Sequence, residues 1–377
     1  MKFPKLGLYI HIPWCIRKCP YCDFYSVSIK KKKIPQKKYI KHLILDLKND
    51  IKYIKFRKIN TIFIGGGTPN LIKPKYIKYL IKNIKKIVQF SKKIEITFES
   101  NPNSINKLSY LKYKLSGINR ISLGLQSFNE KILNNINRKY SYKKLIKKIK
   151  IVKSINFKKI NFDLMYGLPG QKKKYIIKDL KKAISFKPSH ISWYQLSIEK
   201  NTKFYKNTPI LPKEKKIEKM YKIGKKILKK NNFFQYEISS YSNHKNKCKH
   251  NLNYWKYGDY LGIGCGAHGK ITLKNKKIIR TVKKKNIHEF LNGKYIEKIY
   301  FVKKKNKPLE FFMNNFRLNQ KCSKKNFIKK TGLKEKYIQK EILYAIKKKY
   351  IIQKKKYWKT TKLGKLFLNN LLEIFVK

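Results

Sequence analysis

The stretch LGLYIHIPWCIRKCPYCDF, residues 6–24, decides how the chain is read. A strand-like run, LGLYIHI (6–12), passes into Cys15, Cys19 and Cys22, spaced C-x3-C-x2-C, and the position two beyond the third cysteine holds Phe24. An odd set of three thiols cannot be paired off as local disulfides. Structural zinc wants four closed ligands, usually as two separated pairs. His11 as the fourth falls inside the strand run, and ferredoxin-type clusters use four cysteines at other spacings. Three cysteines with one empty corner suit a 4Fe–4S cluster whose fourth iron is open to a further ligand; the bland alternative is three incidental thiols.

Outward from this stretch the pattern repeats. TIFIGG (61–66), IEITFES (94–100), RISLGLQSF (120–128), INFDLMYG (160–167) and HISWYQLSI (190–198) read as further strands. Between them KKYIKHLILDLKNDIKYIK and KYIKYLIKNIKKIVQF (75–90) carry apolar residues at helical spacing. Strand-then-helix units imply an α/β fold with a parallel sheet and crossover helices. Six units fit an open doubly wound sheet or a partial barrel, and in either the chemistry gathers at the C-terminal strand ends. Those ends carry the cysteines, GGGTPN (65–70), Glu99-Ser100-Asn101-Pro102, Gln126-Ser127-Phe128, and Asp163 followed by GLPG (167–170). Beyond about residue 205 come a helix near 213–230, a segment rich in Gly, Tyr, Asn and His, and helices preceding YIIQKKKYWKTT and a last helix from Lys362. That order is winged-helix-like.

Composition narrows the function class. The chain has 377 residues, 42% apolar, and a formal charge of +76 from 95 Lys and Arg against 19 Asp and Glu. Such a charge invites a nucleic-acid reading through counterion release. Only six basic residues are Arg, namely Arg17, Arg57, Arg120, Arg138, Arg280 and Arg317, and the lysines are spread along the whole length. Base readers favour the bidentate guanidinium, so a biased codon composition explains the excess better than a selected surface, and no specific nucleic-acid partner is expected. No stretch approaches the roughly 18 apolar residues of a membrane span, so the chain is not expected to be an integral membrane protein. MKFPKLGLYIHIPW only faintly imitates a signal peptide. Six cysteines without a signal read as metal ligands or free thiols in a reducing cytoplasm.

C-x3-C-x2-C after a first strand resembles the radical S-adenosylmethionine (SAM) superfamily, over roughly residues 5–200. The resemblance implies that Cys15, Cys19 and Cys22 hold the cluster and that its open iron chelates SAM, in a partial (β/α)6 barrel with a mixed C-terminal region. Tyr21 matches the family's aromatic before the third cysteine, and GGGTP its SAM-holding GGTP segment. Taken alone, GGGTP is also a serviceable turn. Within the superfamily the chain is similar to oxygen-independent coproporphyrinogen III oxidases and their relatives. Tyr9, Gly66, Gly67, Thr68, Glu99, Gln126, Arg138 and Asp163 match positions that bind SAM there. Glu99 and Asp163 would accept from ribose hydroxyls or the ammonium group, and Arg138 would meet a carboxylate. Each has an ordinary alternative: Asp163 capping a helix, Arg138 standing on the surface at a helix start.

Two features separate oxidase from haem carrier. The oxidases carry a further cysteine where this chain has Phe24, and an extension ahead of the first strand, which here begins by residue 6. HNLNYW (250–255) resembles the H-N-x-x-Y-W motif of the HemW-type haem-chaperone branch. That resemblance implies haem as cargo, with His250 as axial ligand, Tyr254 and Trp255 against the porphyrin, and Lys247 and Lys249 near its propionates. Set against it, His250 capping a turn and Trp255 as a core anchor are ordinary readings. Cys248, beside His250, is a weak rival ligand; Cys265 and His268 sit in a Gly-rich stretch, and Cys322 reads as an ordinary thiol. The expectation is a cytoplasmic haem chaperone with haem-acceptor partners, respiratory and membrane-associated ones among them, and a flavodoxin- or ferredoxin-type donor. Its expected parts are a radical SAM core (1–205), a connecting region bearing HNLNYW (206–300) and a winged-helix-like domain (301–377). The enzyme alternative is oxidative decarboxylation of coproporphyrinogen III.

Overall fold

A computed structural model describes residues 3–29, 33–54, 56–243 and 245–376. Its frame is a twelve-stranded sheet. The first six strands are β1 (Leu6–Ile12), β2 (Ile59–Gly66), β3 (Phe90–Ser100), β4 (Arg120–Gln126), β5 (Lys159–Tyr166) and β6 (His190–Gln195). They are parallel and lie side by side in chain order. A doubly wound sheet reverses its order at a switch point. An unreversed order sends every right-handed crossover the same way, so the helices cover one face and the winding is barrel-like.

Residues 206–300 do more than connect. They supply β7 (Phe234–Gln235), β8 (Ser240–Ser242), β9 (Asp259–Ile263), β10 (His268–Thr272), β11 (Ile278–Lys283) and β12 (Ile296–Phe301) to the same sheet. The spatial order is β12-β11-β10-β9-β1-β2-β3-β4-β5-β6-β8-β7. β9 runs parallel to β1, while β10–β12 and β7–β8 are antiparallel flanks.

Side-chain alternation explains what each face holds. In β1, Leu6, Leu8, Ile10 and Ile12 join the apolar core, as do Ile62 and Ile64 of β2, Ile96 and Phe98 of β3, and Phe162 and Leu164 of β5. Because strand neighbours point to opposite faces, the alternate set, including Tyr9, His11, Thr61, Glu95, Glu99 and Asp163, shares the other face. That face is polar, unusual for a parallel sheet buried on both sides, and it marks an interior meant for something other than packing.

Strand positions agree with the sequence pattern to within a few residues. One helix ends earlier than its pattern suggests: Pro74–Ile87 stops before Val88, which is extended, and Phe90 already opens β3. The C-terminal part has its own apolar core around Phe311, Phe312, Phe327 and Trp358. Helices Lys307–Asn315, Lys324–Thr331 and Gln339–Lys347 precede the hairpin Ile351–Lys354/Tyr357–Thr360, with Cys322–Ser323 as its third strand. Bidentate contact of Arg280 in β11 with Glu310 ties this part to the sheet. No helix among the described residues is long and apolar enough to cross a membrane.

Candidate functional site

The cysteine loop leaves β1 and is tied back by Trp14–Cys15, which pairs with Val27–Ser28. Cys15, Cys19 and Cys22 are free and half-buried, and Thr68 Oγ1 donates to Cys15 Sγ at 3.4 Å. Burial raises the Cys15 and Cys22 thiols, Cys22 to about 11. Among the described residues no three His, Cys, Asp or Glu side chains are gathered tightly enough to hold a single metal ion. Tyr21 OH, within the loop, and Arg138 Nε, close to it, are buried and have no hydrogen-bond partner among the described residues. Orphaned donors are costly when buried. Their place next to a thiol triplet fits an acceptor-rich group such as a cluster and its ligand. Phe24 is 59% exposed and turned from this interior.

Below the loop, the polar face of the sheet forms a recess. β1 is buried throughout except at Tyr9. The C-terminal half of β5 opens only at Asp163, β4 only at Gly124, and the last four residues of β3 only at Glu99. These partly accessible positions, Tyr9, Glu99, Gly124 and Asp163, all lie on the polar face of the sheet. Gly66 N–H donates to Glu99 Oε2 at 3.2 Å. Burial, with the Asp163 charge second, lifts the Glu99 carboxyl to about 8. Asp163 caps no helix; it accepts from Ser122 Oγ and Asn161 Nδ2, both at 2.8 Å. Arg138 is not a surface residue: it donates to Gly124 O at 2.7 Å and reaches Tyr140 OH at 3.3 Å. Gln126, at φ 69°, ends β4 and accepts from Tyr194 OH at 2.9 Å.

The glycines of GGGTP have a role the sequence did not reveal. A Cβ on Gly65 would stand 2.7 Å from Glu99 Oε2, one on Gly66 2.5 Å from the His11 ring, and one on Gly67 2.5 Å from Trp14 O. These positions are glycine because the recess wall already presses on them. His11 was passed over in the sequence reading except as a rejected zinc donor. Its Nε2 donates to Tyr25 O at 2.9 Å, which leaves Nδ1 to accept from Tyr9 OH at 3.0 Å. Burial lowers it to about 4, so it stays neutral and orients Tyr9. Tyr194, also missed, closes the far wall. Period-two counting from Tyr9 was the available signal for His11.

HNLNYW stands at the other end of the same recess, on helix Lys249–Trp255. Glu95 of β3 holds the start of this helix, accepting from Lys249 N at 2.7 Å and His250 N at 3.2 Å. His250 lies over Gly7, where a Cβ would meet its ring at 3.2 Å. Its ring contacts Phe63 at 5.1 Å, and Phe63 stacks on Tyr9 at 6.3 Å. The sequence reading treated His250 as an available iron ligand. In this arrangement it is fully buried and both nitrogens are engaged, Nδ1 with Thr61 Oγ1 at 2.8 Å and Nε2 with Tyr254 OH at 2.7 Å. Burial depresses it to about 3. The Trp255 ring lies under the Arg317 guanidinium at 4.6 Å. Cys248, Cys265 and Cys322 are buried thiols, and Cys265 N–H donates to Tyr39 OH. The structure thus gathers the cluster and SAM candidates at one rim and sets His250 and Tyr254 as a plug beneath them.

Comparison with known proteins places the chain in a family. The family model of the radical SAM superfamily matches residues 9–183. The chain is 52% identical over 374 residues to the heme chaperone HemW of Buchnera aphidicola subsp. Acyrthosiphon pisum (strain APS), covering 99% of each. It is 42% identical over 376 residues to the heme chaperone HemW of Escherichia coli (strain K12), covering 100% of this chain and 99% of that one. Among solved structures, coproporphyrinogen III oxidase (HemN) from Escherichia coli, a radical SAM enzyme, superposes with a TM-score of 0.84 at 18% identity. It covers 99% of this chain and 90% of that one, which establishes a shared fold.

Proposed function

The chain belongs to the radical SAM superfamily and, within it, to the HemW family, and from that premise we propose that it is a haem chaperone carrying a 4Fe–4S cluster, SAM and haem. What supports the reading above all is similarity along the whole chain to proteins named as haem chaperones. Phe24 stands where the oxidases carry a cysteine and faces solvent, so oxidative decarboxylation is the weaker reading.

Cys15, Cys19 and Cys22 would hold the cluster, which when bound supplies one-electron reduction to a ligand on its open iron. The recess would take SAM. Glu99 and Asp163 offer acceptors for an ammonium or hydroxyl group, Arg138 and Tyr21 offer buried donors, and Gly66, Gly67, Thr68 and Gln126 shape the wall. Tyr9, aimed by His11, forms its floor. Haem is the cargo, with Tyr254 and Trp255 beside it. Ligation of its iron by His250 requires one ring nitrogen to leave its partner, Thr61 on the sheet or Tyr254 one turn along the same helix. Acceptor proteins, the reducing donor and a cytoplasmic location belong to the same proposal.

The test is haem titration of the purified protein and of His250→Ala, followed at the Soret band. A shift in the wild type that is lost in the variant, with unchanged far-ultraviolet circular dichroism, is the expected result. Absence of any shift in the wild type removes haem carriage.

A further inference from the structure

The HNLNYW helix has two faces. His250 and Tyr254 turn inward, whereas Lys249, Leu252, Asn253 and Lys256, at i, i+3, i+4 and i+7, line a cleft of about 980 Å³ on the opposite side. Its second wall is the N-terminal rim of the sheet, with Lys5 ahead of β1, Thr61 in β2 and Lys93 in β3. Its third is the C-terminal part, through Ile328, Lys329 and Lys330. Lysines therefore line all three walls, and no Asp or Glu is among the described residues that line it. Phe3, Leu252 and Ile328 add apolar surface between them.

We propose that this cleft binds the carboxylate-bearing edge of the haem cargo, a flat, largely apolar dianion; the assignment rests on the haem-chaperone reading. The volume lies within the roughly 300–1,000 Å³ of small-molecule sites. Like charges set against one another gain when an anion enters between them. Lys256 is lowered by burial and by Lys5 and Lys247, and Lys330 is lowered to about 8 by burial first, then by Lys270 and Lys256. Thr61 lines the cleft and also holds His250 Nδ1, so a ligand there lies one hydroxyl away from the buried imidazole. Because β1 is seven residues long, the cleft and the cysteine rim stand roughly 20 Å apart at opposite strand ends. Cargo in the cleft is thereby kept away from chemistry at the thiols.

The probes are haem, metal-free protoporphyrin IX and its dimethyl ester, titrated by fluorescence quenching of protein or porphyrin. The cleft variant is Lys93→Glu/Lys249→Glu/Lys256→Glu, all exposed side chains, and the control is Lys143→Glu/Lys147→Glu/Lys150→Glu on the remote helix Tyr142–Ser154. The cleft variant should bind protoporphyrin IX about tenfold or more weakly, the loss expected when opposite charges become like charges. The control should stay within about twofold, and the dimethyl ester should bind all three proteins weakly and alike. Equal weakening in cleft and control variants, or none in either, overturns the cleft while haem carriage stands on its own Soret titration. Failure of the wild type to bind haem or protoporphyrin overturns both.

Discussion

At the residue scale, the informative group is Glu99. Its carboxyl is lifted to about 8 from an ordinary 4.5 by burial and by Asp163, so near neutral pH it holds a proton unless a cation arrives. The sign follows. A carboxyl raised by folding contributes stability that is complete below about 4.5 and is lost as pH rises through about 8. Glu99→Gln, which cannot ionise, should flatten the decline in stability of the ligand-free protein across that window, as read by urea unfolding at several pH values. Binding of the cationic sulfonium ligand should expel the same proton. SAM affinity of cluster-loaded wild type should rise from pH 6 to pH 8, and Glu99→Gln should lose that slope; an unchanged slope in the variant assigns the proton elsewhere. For the thiols, Cys15→Ala, Cys19→Ala and Cys22→Ala should each lose iron and sulfide after anaerobic reconstitution, whereas Phe24→Ala should keep both, its side chain being exposed. These residues were legible because a C-x3-C-x2-C spacing is rare and a rim position follows from strand patterning. His11 and Tyr194 were not, since their importance lies in hydrogen bonds made across the recess to Tyr9 and Gln126.

At the element scale, helix Lys249–Trp255 shows where one-dimensional reading stops. Its motif was conspicuous, but which side faces inward depends on Glu95, over 150 positions earlier, whose carboxylate takes the first two N–H groups and meets Lys159 at 3.4 Å. Nothing local to HNLNYW announces that partner. The six leading strands, by contrast, were visible in their own alternation, and the end of helix Pro74–Ile87 was misjudged because Ile87, Val88 and Phe90 are equally apolar in a helix or at a strand start. Removing the anchor gives a clear expectation. Glu95→Ala leaves buried N–H groups and Lys159 without their acceptor, a cost of about 2–3 kcal/mol. Hydrogen exchange should quicken over residues 248–256 before it does in β1 or β2. Uniform acceleration through the sheet would mean that Glu95 supports the whole fold rather than this helix.

At the scale of the whole molecule, the placement of the acids matters more than the net charge. Only 19 Asp and Glu oppose 95 Lys and Arg, and Asp46, Asp50, Glu95, Asp179, Glu237 and Asp259 are buried. Asp46 and Asp50 enclose the buried Lys283 of β11, which joins helix Gln36–Asp50 to the flank of the sheet. Asp259 likewise meets Arg57 and Lys270 at 2.9 Å. The interior thus takes about a third of the few acids, and lysine dominates the surface charge, repelling itself through water. Screening acts on the exposed charges over a Debye length of about 10 Å near 0.1 M salt and much less on the buried pairs. Raising sodium chloride from about 20 to about 300 mM should therefore increase the melting temperature by several degrees, the surface repulsion fading while the Lys283 and Asp259 contacts persist. A flat or falling melting temperature would show that the surface lysines are already compensated. The same screening should release non-specifically bound DNA over that range, without preference among sequences; a sequence preference surviving at the upper end would assign the lysine excess a recognition role that its spread along the chain does not suggest.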